Sequence, residues 1–244
     1  MLHAVSARKA RLHHFRNAGT RVPLEDVVTS TVFGPLLFLA ETDRDRVLRA
    51  LLVGLGFTDK RWSGLLTLSF WIKRPTDPRI RPRSIEPDLI ISDERGIVLL
   101  TEIKWGAPLD DGELAGQWAC LDERERARAR HLLIVRDKRP YHGQIRSDER
   151  LLRRYNLYPW PFKMHCWSDI AHSLEALGRS DAAAHLRSWA RTVAHFLRTE
   201  DGFAMRGWTR LELNAVEAYV PRFRQAWWSN LHIVSRVERK WANG

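Results

Sequence analysis

The chain has 244 residues with 40 Lys+Arg against 29 Asp+Glu, a formal charge of +11, and is 44% hydrophobic and 28% charged. That balance excludes a disordered tail and allows one sizeable domain, or a domain with an appendage. The positive excess is mostly arginine, whose planar fork suits phosphate oxygens, so nucleic acid is the first partner expected; the bland alternative is a solvated basic surface.

Residues 1–22 hold five Lys/Arg and no acid, a basic N-terminal arm. The stretch PLEDVVTSTVFGPLLFL follows as a helix, with Pro23 suited to the first position and Glu25 and Asp26 in the first turn, where the helix dipole favours acids. Gly34-Pro35 should kink or end it, and TDRDRVLRALLVGLG gives a second helix stopped by Gly54 or Gly56. GLLTLSFWIKRP, residues 64–75, is rich in strand formers and ends at Pro75. A proline-rich loop leads into EPDLIISDERGIVLLTEIKWG, residues 86–106, a hairpin turning at Glu94-Arg95. Residues 109–130 read as one helix capped near Asp110 or Asp111. HLLIVRD, residues 131–137, is a nearly all-apolar strand of the kind covered on both faces, and FKMHCWSDI, residues 162–170, is a fifth.

From Asp169 onward the pattern turns helical. Leu186, Trp189, Ala190, Val193 and Leu197 recur at helical spacing, with Asp181 placed to cap. TRLE at 209–212 is a capping box for a further helix, and Trp208, Trp227, Trp228 and Trp241 accompany Arg206, Arg210, Arg222 and Arg224. This tail is either a partner surface, for a second copy or another protein, or an added helical core. The expected division is therefore 1–22 arm, 23–170 α/β core and 171–244 helical, Trp/Arg-rich extension.

Cys120 and Cys166 form no CxxC, and the histidines lack C2H2 or HExxH spacing, so a reducing, cytoplasmic setting is expected rather than a zinc ribbon or disulfide framework. The longest apolar run, around VFGPLLFLA, is too short to span a bilayer, so no membrane partner is expected.

The hairpin poses a chemical question. Glu102 and Lys104 lie two apart on one strand, so both leave the same face, and Asp88 pairs across from residue 101 or 102 depending on a one-residue bulge. Two carboxylates and an ammonium thus converge at one end of an apolar hairpin. Two hard oxygen donors suit Mg2+, or Mn2+ in its place, and a neighbouring ammonium can orient or deprotonate a water, or offset transition-state charge. The alternative is a salt-bridged strand end.

Pro87-Asp88 followed by Glu102-Ile103-Lys104 resembles the signature of the PD-(D/E)xK nucleases, the restriction-endonuclease-like superfamily. The element order over residues 23–137 is similar to that fold's αβββαβ core with a mixed central sheet. The resemblance implies that Asp88 and Glu102 bind the metal with the backbone carbonyl of Ile103, and that Lys104 assists the nucleophilic water. It also implies a glutamate from the first helix, for which Glu25 is the best match and Asp26 a rival. Gln117 resembles the polar residue that the following helix often adds. A tyrosine four positions later marks one subgroup, and Leu121 departs from it. A second ExK-like triplet, Glu238-Arg239-Lys240, follows no evident strand.

Trp105 would wall the site, stack on a base or pack on the next helix. Arg136, Lys138 and Arg139 follow the apolar strand as phosphate candidates. The expected function is metal-dependent hydrolysis of DNA, with RNA hydrolysis, or non-catalytic nucleic-acid binding or assembly, as alternatives. By analogy alone, such stand-alone proteins often serve restriction, phage defence or repair.

Overall fold

The computed structural model describes residues 24–57, 62–81 and 84–198. The expected basic arm, the TRLE capping box, the tail tryptophans and arginines and the second ExK-like triplet all lie outside them.

Helix α1 (Leu24–Val32) begins with two acids and stops where Gly34-Pro35 removes a backbone donor; a 3₁₀ turn, Gly34–Phe38, replaces further α-helix. Helix α2 (Glu41–Gly54) buries Val47, Leu48, Leu51 and Leu52, one stripe at helical spacing. Strand β1 (Thr67–Phe70) then pairs antiparallel with β2 (Leu89–Asp93), which pairs antiparallel with β3 (Gly96–Lys104). The hairpin turns at Glu94-Arg95 as expected, and its register shifts by one residue between Ile91 and Ser92.

The expected single helix over 109–130 is instead two. Helix α3 (Glu113–Ala119) and helix α4 (Glu123–Arg126) are separated by Asp122, whose side chain closes a capping box with Glu125. The cap of α3 is also not an aspartate of its own loop. Gly112 sits there at φ 69°, a left-handed conformation that costs glycine little, and Asp148 from elsewhere in the chain supplies the acceptor. Arg130 belongs to strand β4 (Arg130–Val135) rather than to a helix, and β4 runs parallel to β3. Helix α5 (His142–Arg154) leads to β5 (Phe162–Cys166), parallel to β4. Helix α6 (Trp167–Arg179) starts directly after Cys166, so the fifth strand is shorter than its sequence suggested; Asp169 accepts from the Cys166 N–H and turns the chain into helix. Helix α7 (Ala184–Arg198) packs on α6 through Leu186, Ala190, Val193 and Leu197, and α6 packs on α2.

The result is an α/β fold with a five-stranded mixed sheet in the order β1-β2-β3-β4-β5. Side chains alternate across it. Leu89, Ile91, Leu99, Leu132 and Ile134 meet Leu48, Leu51, Leu52 and Ile170 of α2 and α6. On the other face Ile90, Leu100, Leu133 and Val135 cluster with Leu114 and Trp118 of α3 and Leu152 of α5. Both faces of β3 and β4 are thereby covered, as their continuous apolar runs require. Among the described residues no helix is long and apolar enough to cross a membrane.

Candidate active site

Two strands and two helices deliver the charged groups to one place. Leu89 pairs with Thr101, so Asp88 stands one step further, opposite Glu102, on the sheet face shared by Ile90 and Leu100. The Asp88 carboxylate accepts the Ile103 N–H at 2.8 Å, standing in for the strand partner that β2 no longer offers there. An extended residue sends its N–H and C=O to the same side of its strand, so the Ile103 carbonyl faces this edge too. Asp88, Glu102 and Lys104 therefore meet on one side of the sheet, where the parallel strands β3 and β4 end. Ligand crevices of open α/β sheets form outside such carboxyl ends.

Lys104 is the hub. Its Nζ lies 2.5 Å from Glu102 Oε1, 3.3 Å from Glu113 Oε1 and 3.6 Å from Glu25 Oε1. Glu25 comes from the first turn of α1, and its other oxygen accepts the Trp105 N–H at 3.0 Å, which fastens α1 to the end of β3. Glu113 comes from α3, where it also accepts the Asp110 N–H at 2.9 Å. Four carboxylates, counting Asp88, thus surround one ammonium.

That imbalance is expressed in the acidities. Burial, the leading cause, pushes Asp88 up to about 7; the Ile103 N–H and Lys104 oppose it, while Glu25 and Asp26 add to it. Glu102, 3% exposed, is raised well above the ordinary range by burial and by Asp88 against the opposing pull of Lys104. Burial alone would lower Lys104, but Glu102, Glu113 and Glu25 outweigh it and hold the ammonium firmly protonated. A lysine so placed can donate to a water or offset negative charge; it is not a base.

The donors suit a hard divalent ion: carboxylate oxygens in excess of positive charge, beside a backbone carbonyl. Among the described residues no group of three His, Cys, Asp or Glu is arranged to hold a metal by itself. An ion here would rest on Asp88, Glu102 and the Ile103 carbonyl and keep waters, as Mg2+ commonly does.

Gln117, expected one helix on, is fully buried, and its Nε2 donates to Glu102 Oε2. Both Glu102 oxygens are thereby engaged, one by Lys104 and one by Gln117.

The aromatic and basic candidates sit nearby with partners of their own. Trp105 is half-buried, its ring 5.8 Å from that of Trp167, and the Arg136 guanidinium lies 5.8 Å over it. Lys138 reaches Asp169 at 3.6 Å, and Arg139 pairs with Asp137 at 2.7 Å. All three basic residues lie just past the end of β4, level with Lys104, whose register partner is Val135.

Glu113, His131, Asp148 and Trp160 were not read as part of the site from sequence. Glu113 lies one helical turn before Gln117, a spacing that puts both on one face once the helix is known to start at Glu113. His131 is the second residue of β4, a polar side chain at the head of the fully buried run that continues through Leu132, Leu133, Ile134 and Val135. Nothing local marks Asp148 or Trp160.

Fold and site together define an α/β protein with a mixed sheet that carries an acidic, lysine-centred cluster at the end of its central strands. No family model, curated protein or solved structure matches the chain.

Proposed function

We propose that the protein is a metal-dependent nuclease that hydrolyses phosphodiester bonds of DNA on a restriction-endonuclease-like core. The observation that carries this reading is the convergence of Asp88, Glu102 and Lys104 on one face of the hairpin end, with Glu25 and Gln117 in contact with them. Asp88, Glu102 and the Ile103 carbonyl would hold Mg2+ or Mn2+, with Glu25 at its margin. The ion supplies a polarised phosphoryl group and a more acidic water. Lys104, kept charged by its carboxylates, orients the nucleophilic water and offsets charge that builds on the phosphate. Gln117 holds Glu102 in place.

The substrate's backbone needs cations outside this acidic cluster. Helix α5 offers them: Arg146, Arg150 and Arg153 line one shallow groove with Gly143 and Glu149. Arg146 and Arg150 form no ion pair among the described residues, whereas Arg153 pairs with Glu149 at 2.8 Å. The start of this helix adjoins the loop after Lys104, where the Tyr141 hydroxyl donates to the Ala107 carbonyl at 2.8 Å.

The experiment is cleavage of supercoiled DNA with Mg2+ or Mn2+, with and without EDTA, beside the Lys104→Ala protein and a parallel RNA digestion. Metal-dependent nicking that drops roughly 10²–10³-fold in the variant is expected, the range for losing one preorganised charge-stabilising donor. Equal activity of Asp88→Ala, Glu102→Ala and Lys104→Ala with the wild type would remove the reading, and preferential RNA cleavage would change the substrate.

A further inference from the structure

A line of buried hydrogen bonds leaves Glu102 in the direction away from Lys104. Gln117 Nε2 donates to Glu102 Oε2, and Gln117 Oε1 stands 2.9 Å from His131 Nε2. His131 Nδ1 in turn lies 3.0 Å from Trp160 Nε1. Each of these direct partners of Glu102 and His131 is at least nine-tenths buried, so water does not replace a misplaced partner.

The chemistry of the far end determines the near end. An indole N–H can only donate, so His131 Nδ1 must accept. A neutral imidazole that accepts at Nδ1 carries its proton on Nε2. Neutrality follows from the surroundings: His131 is fully buried, its ring stacked 6.2 Å from Trp118 and met edge-on by Phe162 at 5.8 Å, and burial pushes it down to about 3. His131 Nε2–H therefore donates to Gln117 Oε1. With that oxygen engaged, the amide must turn its NH2 to Glu102. The flipped amide would set an oxygen against the carboxylate and another N–H against His131.

We infer that His131 is a positioning residue for the site: acting through Gln117, it fixes the amide so that Glu102 receives a neutral hydrogen bond from a fixed direction. The choice of neutral groups matters. Lys104 already meets one Glu102 oxygen; a second cation behind the other would orient the carboxylate equally well but would remove the excess of negative charge that a divalent ion needs. The Trp160–His131–Gln117 line holds the carboxylate without discharging it. Its bearing on turnover rests on the nuclease reading; the hydrogen-bond line itself does not.

Two measurements test it, both on the full chain. In ¹⁵N-histidine-labelled wild-type protein, the His131 resonances should show a single neutral tautomer, protonated on Nε2, with Mg2+ present or absent. The Nδ1–H tautomer, or exchange between the two, would overturn the inference without any variant. For kinetics, His131→Gln can place an amide N–H near the former Nε2, whereas His131→Asn reaches only the Nδ1 position. The Gln variant should retain near-wild-type kcat, while the Asn variant loses roughly 10²-fold in kcat with KM little changed, the size of effect that a misplacement of about 1 Å produces. Equal losses in both variants would mean that His131 only fills space, and the inference falls. If the wild type cleaves no nucleic acid with any divalent ion, the nuclease reading fails, and the tautomer measurement alone decides the relay.

Discussion

Asp88 and Glu102 are acids whose surroundings favour the proton, and that has a measurable sign. Asp88 is raised from 3.8 to about 7 in the folded chain, mainly by burial. Between those values the folded state binds more protons than the unfolded state, so this group's contribution to stability falls as pH rises through that window. Without divalent metal, the thermal midpoint is therefore expected to drop between about pH 4 and pH 7, and Asp88→Asn to flatten part of that slope. Calorimetry across pH checks this; an unchanged slope in the variant would show that the carboxyl is not enclosed. Mg2+ binding followed by titration calorimetry should weaken as pH falls below about 7, because the ion must then displace a proton. At the other end of the hairpin, Asp93 is governed oppositely. Burial would raise it, but Arg128 at 2.6 Å and the Ser63 and Arg95 N–H groups overcome that and lower it, so this acid fastens the turn instead of straining it.

At the scale of elements, α3 is the part on which the site most depends, since it presents both Glu113 and Gln117. It spans only Glu113–Ala119, too short to hold its own start, and its cap comes from α5. Asp148, fully buried, accepts the Leu114 and Ala115 N–H groups at 3.0 and 3.3 Å. Asp148→Ala would leave buried donors unpaired and is expected to cost about 2 kcal/mol or more, with Asp148→Asn milder because an oxygen acceptor remains. Urea unfolding of the two variants gives the comparison, and the Ala variant should also lose cleavage activity per folded molecule. The outer face of the same α5 carries the proposed phosphate contacts. Replacing Arg146, Arg150 and Arg153 with Ala should weaken DNA binding and shallow its salt dependence by roughly one unit per arginine that meets a phosphate. Fluorescence anisotropy at several salt concentrations reads this directly; an unaltered slope would exclude the groove as the contact.

Over the whole molecule, the sheet's two covered faces make a rigid frame that holds like charges together at one end. Glu25, Asp88, Glu102 and Glu113 are kept close by α1, the hairpin and α3, with Lys104 as their shared ammonium. A divalent ion that binds this frame and not the unfolded chain must stabilise it, by about 2.7 kcal/mol at a hundredfold excess over its dissociation constant. Mg2+ is therefore expected to raise the unfolding midpoint of the wild type and to leave that of an Asp88→Asn, Glu102→Gln double variant nearly unmoved. Scanning calorimetry with and without the ion tests it.

What the sequence determined by itself was local. Strand alternation put Glu102 and Lys104 on a common face, and one hairpin turn brought Asp88 opposite residue 101 or 102, because antiparallel pairing across a short turn follows from neighbouring residues alone; the register shift between Ile91 and Ser92, decided by the folded sheet, is what sets Asp88 on their face. The starts of α1 and α2, the stop at Gly34-Pro35 and the apolar character of β4 were legible for the same reason. Only the tertiary structure decided the rest. The parallel crossover sets His131 beside Leu100, and thus within reach of Gln117, and nothing in either segment encodes that register. The break in the helix over 109–130, the cap lent by Asp148 and the arrival of Glu113 at Lys104 likewise depend on packing between segments far apart in the chain. A charged group's neighbours across such distances are chosen by how helices cover a sheet, and this is where a motif becomes a site.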